Sequence, residues 1–187
     1  MKFLILSIWA SGLAAGMAWL WSYEHKSGGV AQSFPQWPVN AVLSPQPAKY
    51  NLVLSLHPHC PCSTATVEEL SAILAHTSAA LHVYILEYAL PSADPAWSAS
   101  SSLSKSIRRL PNTTVVADLD GQEALKFGAL TSGDTQLFSA DGKLLFHGGI
   151  TGSRGHIGAN AGSAAILSAV LEGASPLKAT PVYGCSF

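Results

Sequence analysis

Charge is scarce in this chain. Of 187 residues only 11% are Asp, Glu, Lys or Arg, and 10 basic against 11 acidic side chains leave a net charge of −1. No basic cluster extends beyond Arg108-Arg109, so the electrostatic footprint of a nucleic-acid binder is missing and that class is set aside. Cysteine is scarce too: 3 residues cannot staple a disulfide-built scaffold, and with 48% hydrophobic residues the chain can bury an ordinary core without staples. No Cys-x-x-Cys pair occurs. No Gly-x-Gly-x-x-Gly phosphate loop follows a parallel strand either.

One long uncharged run stands against this background. Residues 3–21 lie between Lys2 and the group Glu24, His25 and Lys26, and about twenty apolar residues are what a bilayer-spanning helix requires. Trp19, Trp21 and Tyr23 gather at its far end as an aromatic belt does. A cleaved signal peptide is the alternative, with Gly16-Met17-Ala18 as a small-x-small site, but the apolar run continues past that site. Residues 1–26 are therefore expected to be a membrane anchor or signal peptide. Either one places the remainder outside the cytoplasm, where disulfides persist. Residues 27–48 carry Gly28-Gly29, Pro35, Pro38, Pro45 and Pro47 with little periodicity, and are expected to form a tether in which Trp37 docks on either domain or lipid.

The domain is expected over residues 49–187. Residues 50–56 (YNLVLSL), 81–88 (LHVYILEY) and 113–119 (TTVVADL) have the length and β-branched character of buried strands. Between them, Val67, Leu70, Ile73 and Leu74 recur at helical spacing, Pro91, Ser92 and Asp94-Pro95 break the second strand, and residues 97–110 offer Leu103, Ile107 and Leu110 to one helical face. A short helix over 122–127 follows the third strand. Residues 135–139 and 143–147 flank Ala140-Asp141-Gly142 as a hairpin, and a helix over 161–171 closes the domain. Such alternation predicts an α/β fold, a central mixed sheet with helices on both faces. His76, His82, Asp118 and Asp120 read as surface or edge residues.

The stretch HPHCPC, residues 57–62, sits between the first strand and the capping-rich Ser63-Thr64-Ala65-Thr66. The free N–H groups of a helix's first turn favour a thiolate, the nucleophilic form of cysteine. Two residues apart on a helix is roughly 200° of rotation, so a Cys60–Cys62 bond needs a non-helical junction and is strained and easily opened. Cys60 is expected at the exposed edge as the attacking thiol. Cys62, partly covered by the helix start, is expected to resolve the mixed disulfide. Cys185 is left open: it can pair, ligate or do nothing. A metal site is the rival, with His57, His59, Cys60, Cys62 and His156 as the candidate donors for a copper ion. The glycine-rich residues 148–162 imply close backbone approach, and Arg154 and His156 within them are expected to lie against the cysteines.

This architecture, with cysteines after the first strand, resembles the thioredoxin-like fold, with an extra strand and helix inserted at about 113–127. HPHCPCSTATVEEL, GGITGSRGHIGANAG and TPVYGCSF together resemble the bacterial exported RedB-type proteins, described as thiol-disulfide isomerase or thioredoxin-like. The resemblance implies a thiol-disulfide oxidoreductase without a cofactor, tethered to the bacterial inner membrane by its N-terminal helix and facing protein thiols or disulfides in the periplasm. Two departures stand out. Thioredoxin-like proteins place a cis-proline before the first hairpin strand, shaping the surface on which a substrate chain lies; here the region reads Thr131-Ser132-Gly133-Asp134. The peroxiredoxin threonine three residues before the reactive cysteine is His57. Thioredoxin-like copper-delivery proteins use two cysteines separated by three residues rather than one, and a distant histidine, for which His156 or His147 would stand. A non-catalytic module whose cysteines lock the loop is the third reading.

Overall fold

A computed structural model describes residues 2–29, 33–77, 79–92, 97 and 100–187. In chain order its elements are α1 (Lys2–Glu24), β1 (Tyr50–Leu56), α2 (Ser63–Thr77), β2 (Leu81–Ala89), α3 (Ser102–Ile107), β3 (Thr113–Leu119), α4 (Gln122–Lys126), β4 (Thr135–Phe138), β5 (Leu144–Gly148) and α5 (Ala161–Glu172). The sheet runs β3-β2-β1-β4-β5. β1 is parallel to β2 and β2 to β3, while β4 pairs antiparallel with both β1 and β5. The predicted order of elements is thus the observed one. The third helix is shorter than expected: Ser101 caps it by accepting from the Ser104 N–H at 3.0 Å, and the stretch before it includes Asp94, Pro95, Ser98 and Ala99, which lie outside the described residues.

The pleat sends alternate residues to opposite faces. Leu52, Leu54 and Leu56 of β1 with Val83 and Ile85 of β2 face Val67, Leu70, Ile73 and Leu74 of α2, and Ile166 and Val170 of α5. Val53, Tyr84, Leu86 and Phe138 face the other way, onto Ala124 and Phe127. α4 has only five residues, too few to cover that face.

The expected tether supplies the rest of the cover, and of the two dockings open to Trp37 the domain is the one observed. Trp37 stands edge-on to Phe138, Phe127 and Tyr84 at 5.0, 5.1 and 5.9 Å between ring centres, and its indole N–H donates to the Leu43 carbonyl at 3.0 Å. The backbone on either side is tied as well: Trp37 N donates to Gly142 O at 2.8 Å, Val42 N to the Glu123 carboxylate at 2.6 Å, and Gln46 N to Asn51 Oδ1 at 2.7 Å. Prolines disrupt periodicity without preventing packing, because each extended turn can still present one large side chain.

Asp118 also departs from expectation. It is buried, and its carboxylate accepts from the Glu123 and Ala124 N–H groups at 2.8 and 2.9 Å, supplying the cap that Gly121 cannot.

Trp37→Ala should therefore lower domain stability by about 2–3 kcal/mol, the half-buried share of a large aromatic truncation. Thermal unfolding should read this as a fall in Tm of roughly 5–10 °C. An unchanged Tm would show that the docking of Trp37 contributes nothing to the stability of the domain.

Candidate active site

β1 ends at Leu56, and the chain then turns rather than entering a helix. Cys60 N donates to His57 O at 3.1 Å and Ser63 N to Cys60 O at 3.0 Å, so Cys60 and Pro61 form the non-helical junction that the Cys-x-Cys spacing demands; α2 begins only at Ser63. Ser132 braces this junction from the facing loop. Its Oγ accepts from His57 N at 2.9 Å and lies 2.7 Å from Ser63 Oγ.

The exposures of the two cysteines are the reverse of those expected. Cys60 is 5% exposed, whereas Cys62 is half-buried. The cover comes from residues 183–187, which lie along the loop at 130–132. Ser132 N donates to Cys185 O at 2.8 Å, Phe187 N to Leu130 O at 3.2 Å, and Thr131 forms an antiparallel bridge with Ser186. Cys185 Sγ thereby lies 3.0 Å from Cys60 Sγ. Gly184 makes the approach possible: a Cβ there would fall 1.8 Å from Ser132 O. Spacing along the sequence could not identify Cys185 as part of the site, since 125 residues separate it from Cys60.

Three sulfurs in one place titrate unequally. Burial pushes the Cys60 thiol up, but the Cys185 thiol and N–H, the Ser63 hydroxyl and the Cys62 N–H all favour its charged form, and together they hold it below the ordinary thiol value. Cys62 is raised by burial and by the charge on Cys60, with Arg154 opposing. Cys185 is pushed up to about 11 by burial, then by its hydrogen bond to Cys60 and the charge there, again with Arg154 opposing. Cys60 is therefore the first of the three to become a thiolate.

Arg154 reaches the site as expected of the glycine-rich loop. Its Nη1 donates to Gly184 O at 2.6 Å and its guanidinium lies 5.3 Å from the centre of the Tyr23 ring. His156 does not share this role: it is exposed, and its N–H closes a turn on Ser153. The loop itself is tied to α2 by Glu69, a buried carboxylate that accepts from Gly158 N at 2.6 Å, Ser163 Oγ at 3.0 Å and Asn160 Nδ2 at 3.1 Å. At Gly162 a Cβ would lie 2.0 Å from Gly149 O, so backbone contact accounts for that glycine.

His57 and His59 stand 6.3 Å apart between ring centres, both against Trp97. His57 stacks on Tyr88 at 5.2 Å, and its Nδ1 accepts from His59 N at 3.2 Å; burial, then the His59 charge, lowers its pKa. His59 packs on Trp97 at 4.5 Å and meets the Trp97 carbonyl at 3.1 Å. His147 is buried with both ring nitrogens engaged, Nδ1 with Ser33 Oγ and Nε2 with Asp134 at 2.9 Å. Among the described residues no group of three or more His, Cys, Asp or Glu side chains is arranged to hold a metal ion, which leaves the copper set drawn from the sequence without a common centre. A polar groove of about 420 Å³ lies beside the Cys60 backbone on the α3 side, lined by Pro58, His59, Pro61, Ser101 and Leu103, while Cys60 itself stays 5% exposed.

No family model matches the chain, and no curated protein is similar to it in sequence. Solved structures are similar in fold. An uncharacterized conserved protein from Geobacillus kaustophilus superposes with a TM-score of 0.59 at 20% identity, covering 87% of this chain and 93% of its own. A hypothetical protein from Sinorhizobium meliloti 1021 gives 0.60 at 20% identity, with 86% and 93% covered. A secreted disulfide oxidoreductase of Mycobacterium tuberculosis superposes less fully, with a TM-score of 0.41 at 19% identity over 52% of this chain and 67% of its own. With two parallel crossovers, an antiparallel closing hairpin and its cysteines at the first strand-to-helix junction, the domain has the thioredoxin-like fold.

Proposed function

We propose that this protein is a membrane-tethered, extracytoplasmic thiol-disulfide oxidoreductase that acts through its Cys-Pro-Cys motif, with Cys60 as the attacking thiol and Cys62 as its neighbour in the redox site. The observation that carries this reading is the state of Cys60. It is buried, yet thiol, hydroxyl and N–H donors converge on its sulfur and hold its pKa below the ordinary range. A structural cysteine in such burial would be raised and inert. The substrates are protein disulfides or thiols, and no bound cofactor is required, because thiolate attack on a disulfide is itself the electron transfer. α1 is long and apolar enough to cross a membrane, with none of its residues buried against the domain, which supports a single-pass anchor in a bacterial inner membrane with the domain in the periplasm. The motifs shared with the RedB-type proteins agree with this placement.

The pH dependence follows from the direction of the shift. A depressed pKa means that Cys60 loses its proton at lower pH than a free thiol, so thiolate absorbance lost in Cys60→Ser should titrate with a midpoint below about 8.5. The remaining thiols should titrate above it, Cys185 near 11. A Cys60 midpoint at or above the free-thiol value would remove the basis for calling it the nucleophile.

The metal-free protein should reduce or exchange a polypeptide disulfide, and Cys60→Ser should lose that activity by at least about 100-fold, since no other thiol in the site is comparably ionised near neutral pH. Failure of the metal-free protein to exchange, coupled with retention of copper(I) against a chelator of moderate affinity, would transfer the site to copper handling.

Membrane fractionation should leave the protein in the pellet after an alkaline carbonate wash. A soluble mature form beginning near Trp19 would show export without an anchor.

A further inference from the structure

The sulfur in contact with Cys60 is not that of Cys62 but that of Cys185, at 3.0 Å. Backbone hydrogen bonds hold it there: Ser132 N to Cys185 O and Phe187 N to Leu130 O, with the isolated Thr131–Ser186 bridge, set the register that puts residue 185 over residue 60. Arg154 adds a charged hydrogen bond to the carbonyl of Gly184. Building on the oxidoreductase reading above, we propose that Cys185 is the resolving thiol of Cys60, and that the segment at 183–187 is a cover which a polypeptide substrate must displace before the chemistry and which displaces it afterwards.

Three features carry this. First, the backbone groups of residues 130–132 beside the thiol are already used as an edge for an extended chain, so a substrate segment can take the same hydrogen bonds when residues 183–187 lift away. Second, Cys60 is 5% exposed beneath the segment, whereas Cys185 is exposed, so direct attack by Cys60 on an external disulfide requires the lift. Third, closing a disulfide between Cys60 and Cys62 must span the single residue Pro61 and strains the turn, whereas Cys185 approaches from another part of the chain, free of that constraint.

The chemistry balances over two steps. The Cys60 thiolate attacks one sulfur of a polypeptide disulfide; that S–S bond breaks, the departing sulfur leaves with the electron pair and is protonated, and Cys60 is joined to the substrate. Cys185 gives up its proton to the departing substrate thiolate or to water, and its thiolate then attacks the Cys60 sulfur. The substrate sulfur leaves with the second electron pair and a Cys60–Cys185 disulfide remains. Two protein thiols have been oxidised and one substrate disulfide reduced. The hydrogen bond and charge of Cys60, which help to raise the Cys185 pKa, are both gone once Cys60 is in the mixed disulfide.

The test uses the full-length chain in detergent and a short synthetic peptide whose single cysteine is activated as a mixed disulfide with thiopyridine. Thiopyridone release reports the first step, and intact mass reports how long the peptide adduct survives. In Cys62→Ser the adduct should decay as in the unaltered protein, leaving Cys60 and Cys185 linked in a peptide map. In Cys185→Ser it should persist at least about tenfold longer, because the tethered thiol that resolves it is gone. Gly184→Ala keeps all three thiols but places a methyl where Ser132 O stands. Lifting the cover should speed thiopyridone release about tenfold and lengthen the adduct lifetime by a similar factor, the scale of losing one or two hydrogen bonds. A persistent adduct in Cys62→Ser with prompt decay in Cys185→Ser would overturn the proposal and leave the oxidoreductase reading intact. So would unchanged rates for both steps in a folded Gly184→Ala. Absence of any thiopyridone release dependent on Cys60 would overturn the oxidoreductase reading and this one with it.

Discussion

Ser132 is the residue on which the surroundings of Cys60 depend. Its hydroxyl holds the His57 N–H at the end of β1 and the Ser63 hydroxyl at the start of α2, while its own N–H holds Cys185. Three segments distant in sequence therefore meet on one small side chain and its backbone. The cis-proline that the thioredoxin resemblance leads one to expect here is absent: among the described residues every peptide bond is trans, and the loop turns through Gly133 at φ 95°. A proline in place of Ser132 would have no N–H to give to Cys185, so its absence and the presence of a paired strand at 183–187 belong together.

Two opposing effects decide the state of Cys60. Removal from water alone would keep the thiol protonated, as it does for an ordinary core cysteine. Donors to the charged form come from both sides of the junction, two from the turn and helix start and the rest from the strand that covers it, and their sum prevails. The same cover that desolvates the sulfur thus also brings the donors that compensate for the loss of water. Arg154 lies further round and lowers the pKa of Cys62 and Cys185, against the rise that burial and the Cys60 charge produce.

The strands and helices were legible because each advertises itself locally. The alternation in β1 and β2, the helical stripe of α2 and the Ala140-Asp141-Gly142 turn all lie within a window of a few residues. Trp37 was not: its partners Tyr84, Phe127 and Phe138 lie on other elements, and no period marks a single aromatic in a proline-rich run. Asp118 was misread for a similar reason, since its cap is made to N–H groups five and six residues on, across a turn. At the site, the strand-to-helix position of the cysteines and the approach of Arg154 could be read from composition and spacing. The exposures of Cys60 and Cys62 could not. They depend on a strand that arrives from the far end of the sequence, whose TPVYGCSF carries no local sign of where it lies.

The junction between α1 and the domain has a consequence for where the thiol can work. Glu24 O accepts the Arg154 N–H at 3.1 Å, the Arg154 guanidinium lies over Tyr23, and Gly28 N donates to Val182 O at 2.8 Å. A flexible leash of about twenty residues would let a domain wander over roughly 25 Å. These contacts act instead as a bracket. With α1 in a bilayer, the stand-off of Cys60 from the headgroups becomes a fixed length, and the guanidinium that sets it also grips the strand over the sulfur. Under the proposed function, a disulfide would have to reach the thiol at that one height above the membrane plane.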